Sequence, residues 1–192
     1  MDGIIIIDKP ADWTSQDVTA KLRGVFQTRR IGHGGTLDPM ATGVLPVFVG
    51  RATRGVEFFE HADKTYEAVL RLGITTDTED ITGEILEEKP VCVTEADVLA
   101  VLPQFRGEIQ QIPPMYSAIK INGQKLCNLA RKGKEVERPA RTITIHALDF
   151  WVWMGIRFAC VSIAPRVRIS APCARILDKL WAAAVVWKLC AG

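Results

Sequence analysis

The sequence lacks the marks of several large protein classes. Its cysteines are Cys92, Cys127, Cys160, Cys173 and Cys190. The number is odd and no two form a C-x-x-C pair. That argues against a disulfide framework or a zinc site and fits a reducing cytoplasm. Long apolar runs are missing too. The run of isoleucines at 4–7 is too short for the core of a signal peptide and has no basic leader. The apolar stretch from Trp181 to Trp187 falls far below the roughly 20 residues a membrane span needs. The formal net charge is only +2, so bulk charge does not announce a nucleic-acid partner. There is no internal repeat, G-x-G-x-x-G, P-loop or H-E-x-x-H. The expectation is a soluble cytoplasmic protein with no membrane association.

What is present is the composition of a globular chain. Hydrophobic residues make up 48% and charged residues 24% of 192 positions, enough for one domain, or one domain and a fragment. The charges are unevenly spread. Residues 77–88 carry Asp77, Glu79, Asp80, Glu84, Glu87 and Glu88. Residues 120–141 carry Lys120, Lys125, Arg131, Lys132, Lys134, Arg138 and Arg141 against Glu135 and Glu137. Taken alone, such a basic run is either a solvated face or a phosphate-facing loop.

Patterning predicts a mixture of elements. The β-branched run at 4–7 reads as a buried strand. Thr14 or Ser15 caps a helix with apolar positions at Val18, Leu22 and Val25. Residues 32–43 form a loop, 45–49 and 66–72 strands, and 73–83 a polar loop. Thr94 opens a helix with Glu95 and Asp97 in its first turn, where acids suit the helix dipole. An irregular stretch surrounds Pro113 and Pro114, a helix covers 126–132, and one strand covers 142–150. Without regular βαβ alternation, this pattern predicts an α+β fold. Its sheet should be mixed, mainly antiparallel, and flanked by helices and loops.

The most unusual stretch is GHGGTLDPMATGVLP at 32–46. His33 and Asp38 lie five residues apart in a glycine-rich loop between apolar elements. Glycines permit sharp turns and close approach to a ligand. Pro39 fixes the chain after Asp38 and biases Asp38 toward an extended conformation, a way to present one carboxylate rigidly. An ordinary turn, with Asp38 bonding nearby amides, accounts for the same residues.

The loop is similar to the signature loop of TruB-type pseudouridine synthases. Further segments agree in order and spacing: GIIIIDKP at 3–10, Lys64-Thr65-Tyr66, Arg71-Leu72-Gly73 with Thr75 to Thr78 and Gly83, and IPPMYSAIK at 112–120. Residues 126–131 followed by Glu135-Val136 also fit. The resemblance covers about three-quarters of the chain and implies a pseudouridine synthase catalytic domain. Such an enzyme isomerises uridine to pseudouridine in the T loop of tRNA, at position 55. No electrons or groups enter or leave, so the resemblance implies neither cofactor nor metal. It implies the tRNA T-arm as partner, no obligate protein partner, and a monomer.

By the same resemblance, Asp38 is the catalytic carboxylate, as a nucleophile or as a base on the sugar. His33 contacts the RNA loop where the flipped base leaves a gap, and Tyr66 packs on the target uracil. Stacking of a base on an aromatic ring contributes roughly 1–3 kcal/mol. Lys9 and Pro10 read as supports of the loop, and the basic segment 120–141 as a grip on RNA. A catalytically dead RNA-binding remnant, or a chaperone of tRNA folding, would keep the basic segment and His33 without the chemistry. An unrelated hydrolase using Asp38 and His33 would need a nucleophile elbow or metal ligands, and the sequence has neither.

The resemblance stops near residue 160. The family continues with Cys-Ser-Lys-Gly-Thr-Tyr-Ile-Arg-Thr, whose arginine pairs with the catalytic aspartate. Here the chain reads CVSIAPRVRISAP from Cys160. The genetic code offers a reason. Join the last base of each codon to the first two of the next. The junctions from Val161 to Asp178 then allow VHCSKGTYIRTLCADIG. Trp181 into Ala182 forces glycine, and Trp187 into Lys188 forces glutamate. The expectation is an incomplete catalytic domain at 1–159 and a frameshifted tail at 160–192. As written, the sheet should lack a central strand, and Asp38 its positive partner.

Overall fold

The computed structural model describes residues 1–59, 62–78, 81–113, 115, 119–121, 123–165 and 185–191. It forms two compact units, one built on Met1–Glu67 and the other on Ala68–Ser162.

The first unit begins with strand β1 (Gly3–Lys9), helix α1 (Ser15–Val25), and strands β2 (Ile31–His33) and β3 (Gly43–Val49). A 3-10 helix (Gly50–Gly55) and the short helix α2 (Val56–Phe59) follow. β3 lies between β1 and β2, antiparallel to both, with Lys9 opposite Gly43 and His33 opposite Val47. β1 is therefore an edge strand with its core on one side, and its side chains alternate accordingly. Ile5 and Ile7 pack on the core, while Ile4 and Ile6 remain 53% and 60% exposed. The expectation of a fully buried strand is corrected on that point. The core holds Val18, Ile31, Leu37, Ala41, Leu45, Val47 and Val49.

α1 starts with a complete capping box. The Asp17 amide donates to Thr14 Oγ1 at 3.0 Å, and the Thr14 amide donates to Asp17 Oδ2 at 2.8 Å. Its inward stripe runs Val18, Leu22, Phe26, one residue every four positions. Val25, expected on that stripe, is exposed because Phe26 takes its place.

Strand β4 (Asp63–Leu72) leads into the second unit. There β5 (Ile74–Thr76), inside the expected polar loop 73–83, pairs antiparallel with β6 (Ile85–Glu88), which lies just beyond it. Helix α3 (Glu95–Val101) has the predicted cap, Thr94 with Asp97. β7 (Gly107–Gln111), β8 (Lys120–Ile121), β9 (Gln124–Lys125), α4 (Leu126–Ala130) and β10 (Arg141–Ile145) come next, with β7 antiparallel to β10 and β8 to β9. The single strand expected over 142–150 is two strands. β10 ends before His146, and β11 (Ala147–Trp153) starts after it. Ile145 is buried opposite Gly107 on β7, whereas Leu148 belongs to a different sheet.

That sheet contains β11, β12 (Arg157–Pro165), β4 and β13 (Val185–Ala191), in the order β11-β12-β4-β13. The expected gap is absent, because residues 160–165 continue β12. Pairing uses backbone amides and carbonyls, which almost any sequence supplies, and Cys160 and Ser162 alternate inward. The fold is α+β, with antiparallel pairing in every ladder of known register. Among the described residues no helix is long and apolar enough to cross a membrane. Pro114, the 116–118 part of the proline-containing stretch, and 166–184 of the suspected tail lie outside the described residues.

Candidate active site

Three of the residues singled out from sequence, Asp38, His33 and Tyr66, fall in the segments that build the first unit. The backbone around Asp38 is fixed on both sides. Before it, Leu37 buries its side chain and its amide donates to Ser15 Oγ at 2.9 Å. After it, the Pro39 carbonyl accepts from the Asp12 amide at 2.8 Å and from Lys9 Nζ at 3.1 Å. The Ala41 amide then closes a turn onto the Asp38 carbonyl at 3.0 Å, with Ala41 itself fully buried. Asp12 makes its bond from a left-handed conformation, φ 65°, uncommon for a residue other than glycine.

Lys9 holds this arrangement together. It is fully buried, and Nζ also donates to the carbonyls of Trp13 at 2.6 Å and Pro10 at 2.8 Å. Three carbonyls thus occupy the three protons of one ammonium, and they tie the 10–13 turn to the residue after Asp38. Burial lowers the pKa of Lys9 below its ordinary 10.5, and the charges of Asp12, Asp38 and Asp17 pull the other way. Asp38, itself half-buried, therefore lies within electrostatic reach of a buried cation. The arginine partner expected to be missing belongs to the tail, whose residues 166–184 lie outside the described residues.

Beside this loop is a cleft of about 350 Å³, lined by Gly34–Leu37, Val44–Pro46, Phe59 and 62–66. Tyr66 contributes one wall, half-buried against the core. Phe59 contributes another and meets Phe48 edge to face, with centroids 5.1 Å apart. Gly34 fits beneath them. Its amide donates to the Pro46 carbonyl at 2.8 Å, and a Cβ there would come within 3.0 Å of the Phe48 ring. Lys64 Nζ donates to the Ala62 carbonyl at 3.0 Å and shapes the rim. His33 and Asp38 flank the lining segment 34–37 and do not themselves line the cleft. His33 Nδ1 is buried without a hydrogen-bond partner among the described residues. Sequence reasoning missed Phe59. Nothing local distinguishes it from its exposed neighbour Phe58, and only the contact with Phe48 sets it apart.

The basic segment divides. Arg138 bonds Glu135 at 3.1 Å and the Pro113 carbonyl at 3.3 Å, and Arg141 bonds Gln111 Oε1 at 3.1 Å. Arg131, Lys132 and Lys134 are exposed and form no ion pair with a described residue. No group of His, Cys, Asp and Glu among the described residues could hold a metal.

The α+β fold is that of a pseudouridine synthase catalytic domain. The sequence profile of the TruB family pseudouridylate synthases (N terminal domain) matches residues 23–168, and the chain belongs to that family. A tRNA pseudouridine synthase B of Lactococcus lactis subsp. lactis (strain IL1403) is 54% identical over 147 residues, 76% of this chain and 45% of that protein. One from Ectopseudomonas mendocina (strain ymp) is 46% identical over 175 residues, 91% and 54% respectively. A chain in the crystal structure of a Cbf5-Nop10-Gar1 complex is 27% identical, with a TM-score of 0.75 over 98% of this chain and 47% of that one. The chain thus spans about half the length of the relatives it matches.

Proposed function

We propose that this chain carries the catalytic part of an isomerase that converts uridine to pseudouridine in the T loop of tRNA, with Asp38 as the reacting carboxylate. The observation that carries the reading is the fixed backbone of Asp38, tethered at Leu37, Pro39 and Ala41 beside a cleft with Tyr66 in its wall. A carboxylate held at one angle is suited to a step in which geometry supplies much of the rate.

The reaction is internally balanced. The N1 glycosidic bond breaks, the base turns, C5 bonds to the same ribose carbon, the C5 proton leaves and N1 gains one. Asp38 serves as nucleophile or as base on the sugar. A base inside a folded RNA loop must be extruded first. Tyr66 offers the ring on which the uracil stacks, and His33 meets the RNA at the vacated position. Lys9 acts through the loop it braces. The isomerisation calls for no redox partner and no transferred group.

Alongside this, we propose that residues from about 160 onward are read one base out of frame, through a pseudogene lesion or a sequencing error. Support comes from the junction codons, while the family profile extends to residue 168. The Ectopseudomonas match runs into this segment as well. Resequencing the gene decides the matter, and an intact frame with no insertion or deletion relative to close relatives overturns it. The chain as written should then bind tRNA weakly and form little pseudouridine. In a frame-repaired gene, Asp38→Asn should reduce pseudouridine formation on a T-arm substrate to background while RNA affinity persists. Unchanged turnover would sink the assignment of Asp38.

A further inference from the structure

Most polar side chains that line the cleft are already engaged. Lys64 Nζ donates to the Ala62 carbonyl at 3.0 Å, and neither Asp63 nor Tyr66 is without a partner. Two hydroxyls differ. Thr36 and Thr65 are exposed in the cleft, and neither side chain bonds to a described residue. The rest of the lining is glycine, proline, aliphatic side chains and Phe59. A mostly apolar cleft with a few free polar groups has the form of a ligand site, in which those groups fix orientation.

Thr36 is the better placed of the two. The backbone on either side of it is tied down. The Gly34 amide donates to the Pro46 carbonyl at 2.8 Å, and the Leu37 amide to Ser15 Oγ at 2.9 Å. Leu37 is buried, whereas Thr36 before it faces the open cleft. Thr36 thus keeps its position with its hydroxyl unspent, and a group held in place beforehand gives up little freedom on meeting a ligand. Two residues of chain span at most about 7 Å, so a nucleoside presented to Asp38 also comes within reach of Thr36.

The chemistry of that nucleoside decides which part is met. Asp38 works at the glycosidic bond or at the ribose carbon beside it. That carbon carries the 2′-hydroxyl, next to the bond that breaks. N3 and O4 of uracil, which set it apart from cytosine, lie on the far side of the ring. A threonine hydroxyl donates and accepts, and so does a ribose 2′-hydroxyl. We propose that Thr36 hydrogen-bonds the 2′-hydroxyl of the target uridine and so selects RNA over DNA at the nucleotide on which Asp38 acts. The proposal rests on the function read above and adds a specificity-determining residue to it.

The test is a binding cycle between the full chain and two T-arm RNA hairpins at one low ionic strength. One hairpin carries uridine at the target position; the other carries 2′-deoxyuridine there and ribose elsewhere. The parent chain should bind the all-ribose hairpin about threefold to tenfold more tightly, the worth of one neutral hydrogen bond. Thr36→Val, which exchanges the hydroxyl for a methyl, should lose that preference, and Thr36→Ser should restore it. Thr65→Val should keep it. A general loss of fold would weaken both hairpins alike, so the ratio reports the contact. A preference of the same size in the parent and in Thr36→Val overturns the proposal and leaves the function reading standing. So does a preference that vanishes in Thr65→Val and survives in Thr36→Val. If the unaltered chain binds neither hairpin, the function reading and the proposal both fail.

Discussion

The two units treat buried polar groups differently. In the first, Lys9 is a fully buried ammonium with three carbonyl partners. Among the described residues its buried side-chain polar atom left without a hydrogen bond is His33 Nδ1, in the candidate site. In the second unit Arg71 Nε, Gln111 Nε2 and Ser162 Oγ are buried without a partner among the described residues. Native proteins satisfy nearly all such atoms, so each exception needs a reason. For His33 the proposed contact with RNA would supply the missing partner. Of the three in the second unit, Gln111 lies on β7 in a different sheet, and for the other two the pattern points to β12. Ser162 lies on it, Arg71 lies on its sheet neighbour β4, and β12 carries the first residues assigned to the wrong frame. An out-of-frame stretch can lend its backbone to a sheet, because pairing asks little of side chains. It cannot be relied on to supply the specific partner that a buried hydroxyl or guanidinium needs.

This contrast can be broken by matched substitutions. The largest effect is expected from Lys9→Met. It removes the donor from three carbonyls and loosens the turn after Asp38, and should cost about 1–3 kcal/mol of stability. Ser162→Ala deletes a hydroxyl that has no hydrogen-bond partner among the described residues. It should leave urea unfolding unchanged or shift it slightly upward, since a buried unpaired polar group is itself a cost. If the two substitutions moved the midpoint equally, the distinction between the units would collapse.

How far the sequence foretold this structure depends on how local each cause is. Thr14 with Asp17 and Thr94 with Asp97 were legible because a capping box is complete within four residues. The loop holding Asp38 was legible because glycine and proline constrain their own backbone. Lys9 was read as a brace, but its three carbonyls belong to two loops, one of them 30 residues further along the chain, and no local pattern carries that. The exposure of Ile4 and Ile6 follows from the core covering one face of β1 and not the other, which is a property of tertiary packing. The β5–β6 pair was hidden because the intervening residues are polar and look like a loop. The break at His146 was hidden because β10 and β11 are both apolar and differ only in the partners they find.

The smallest effect compares the two capping boxes. Each has the pattern T-x-x-D. One opens an 11-residue helix in the first unit, the other a 7-residue helix in the second. Thr14→Ala and Thr94→Ala should each cost about 1 kcal/mol at neutral pH. Hydrogen bonds from Thr14 and Thr94 hold Asp17 and Asp97 below the usual carboxylate value of 3.8. A carboxyl whose folded pKa is depressed adds stability above its unfolded pKa and loses it as pH falls through the folded one. The gap between each variant and the parent should therefore narrow in melts recorded well below pH 3.8. The same lost cap should fray a larger share of the shorter helix, so amide exchange in α3 should speed up more than in α1. α1 also keeps Val18, Leu22 and Phe26 on the core, whereas α3 buries Val98. Equal protection in the two variants would mean that packing, and not the cap, sets the order of both helices.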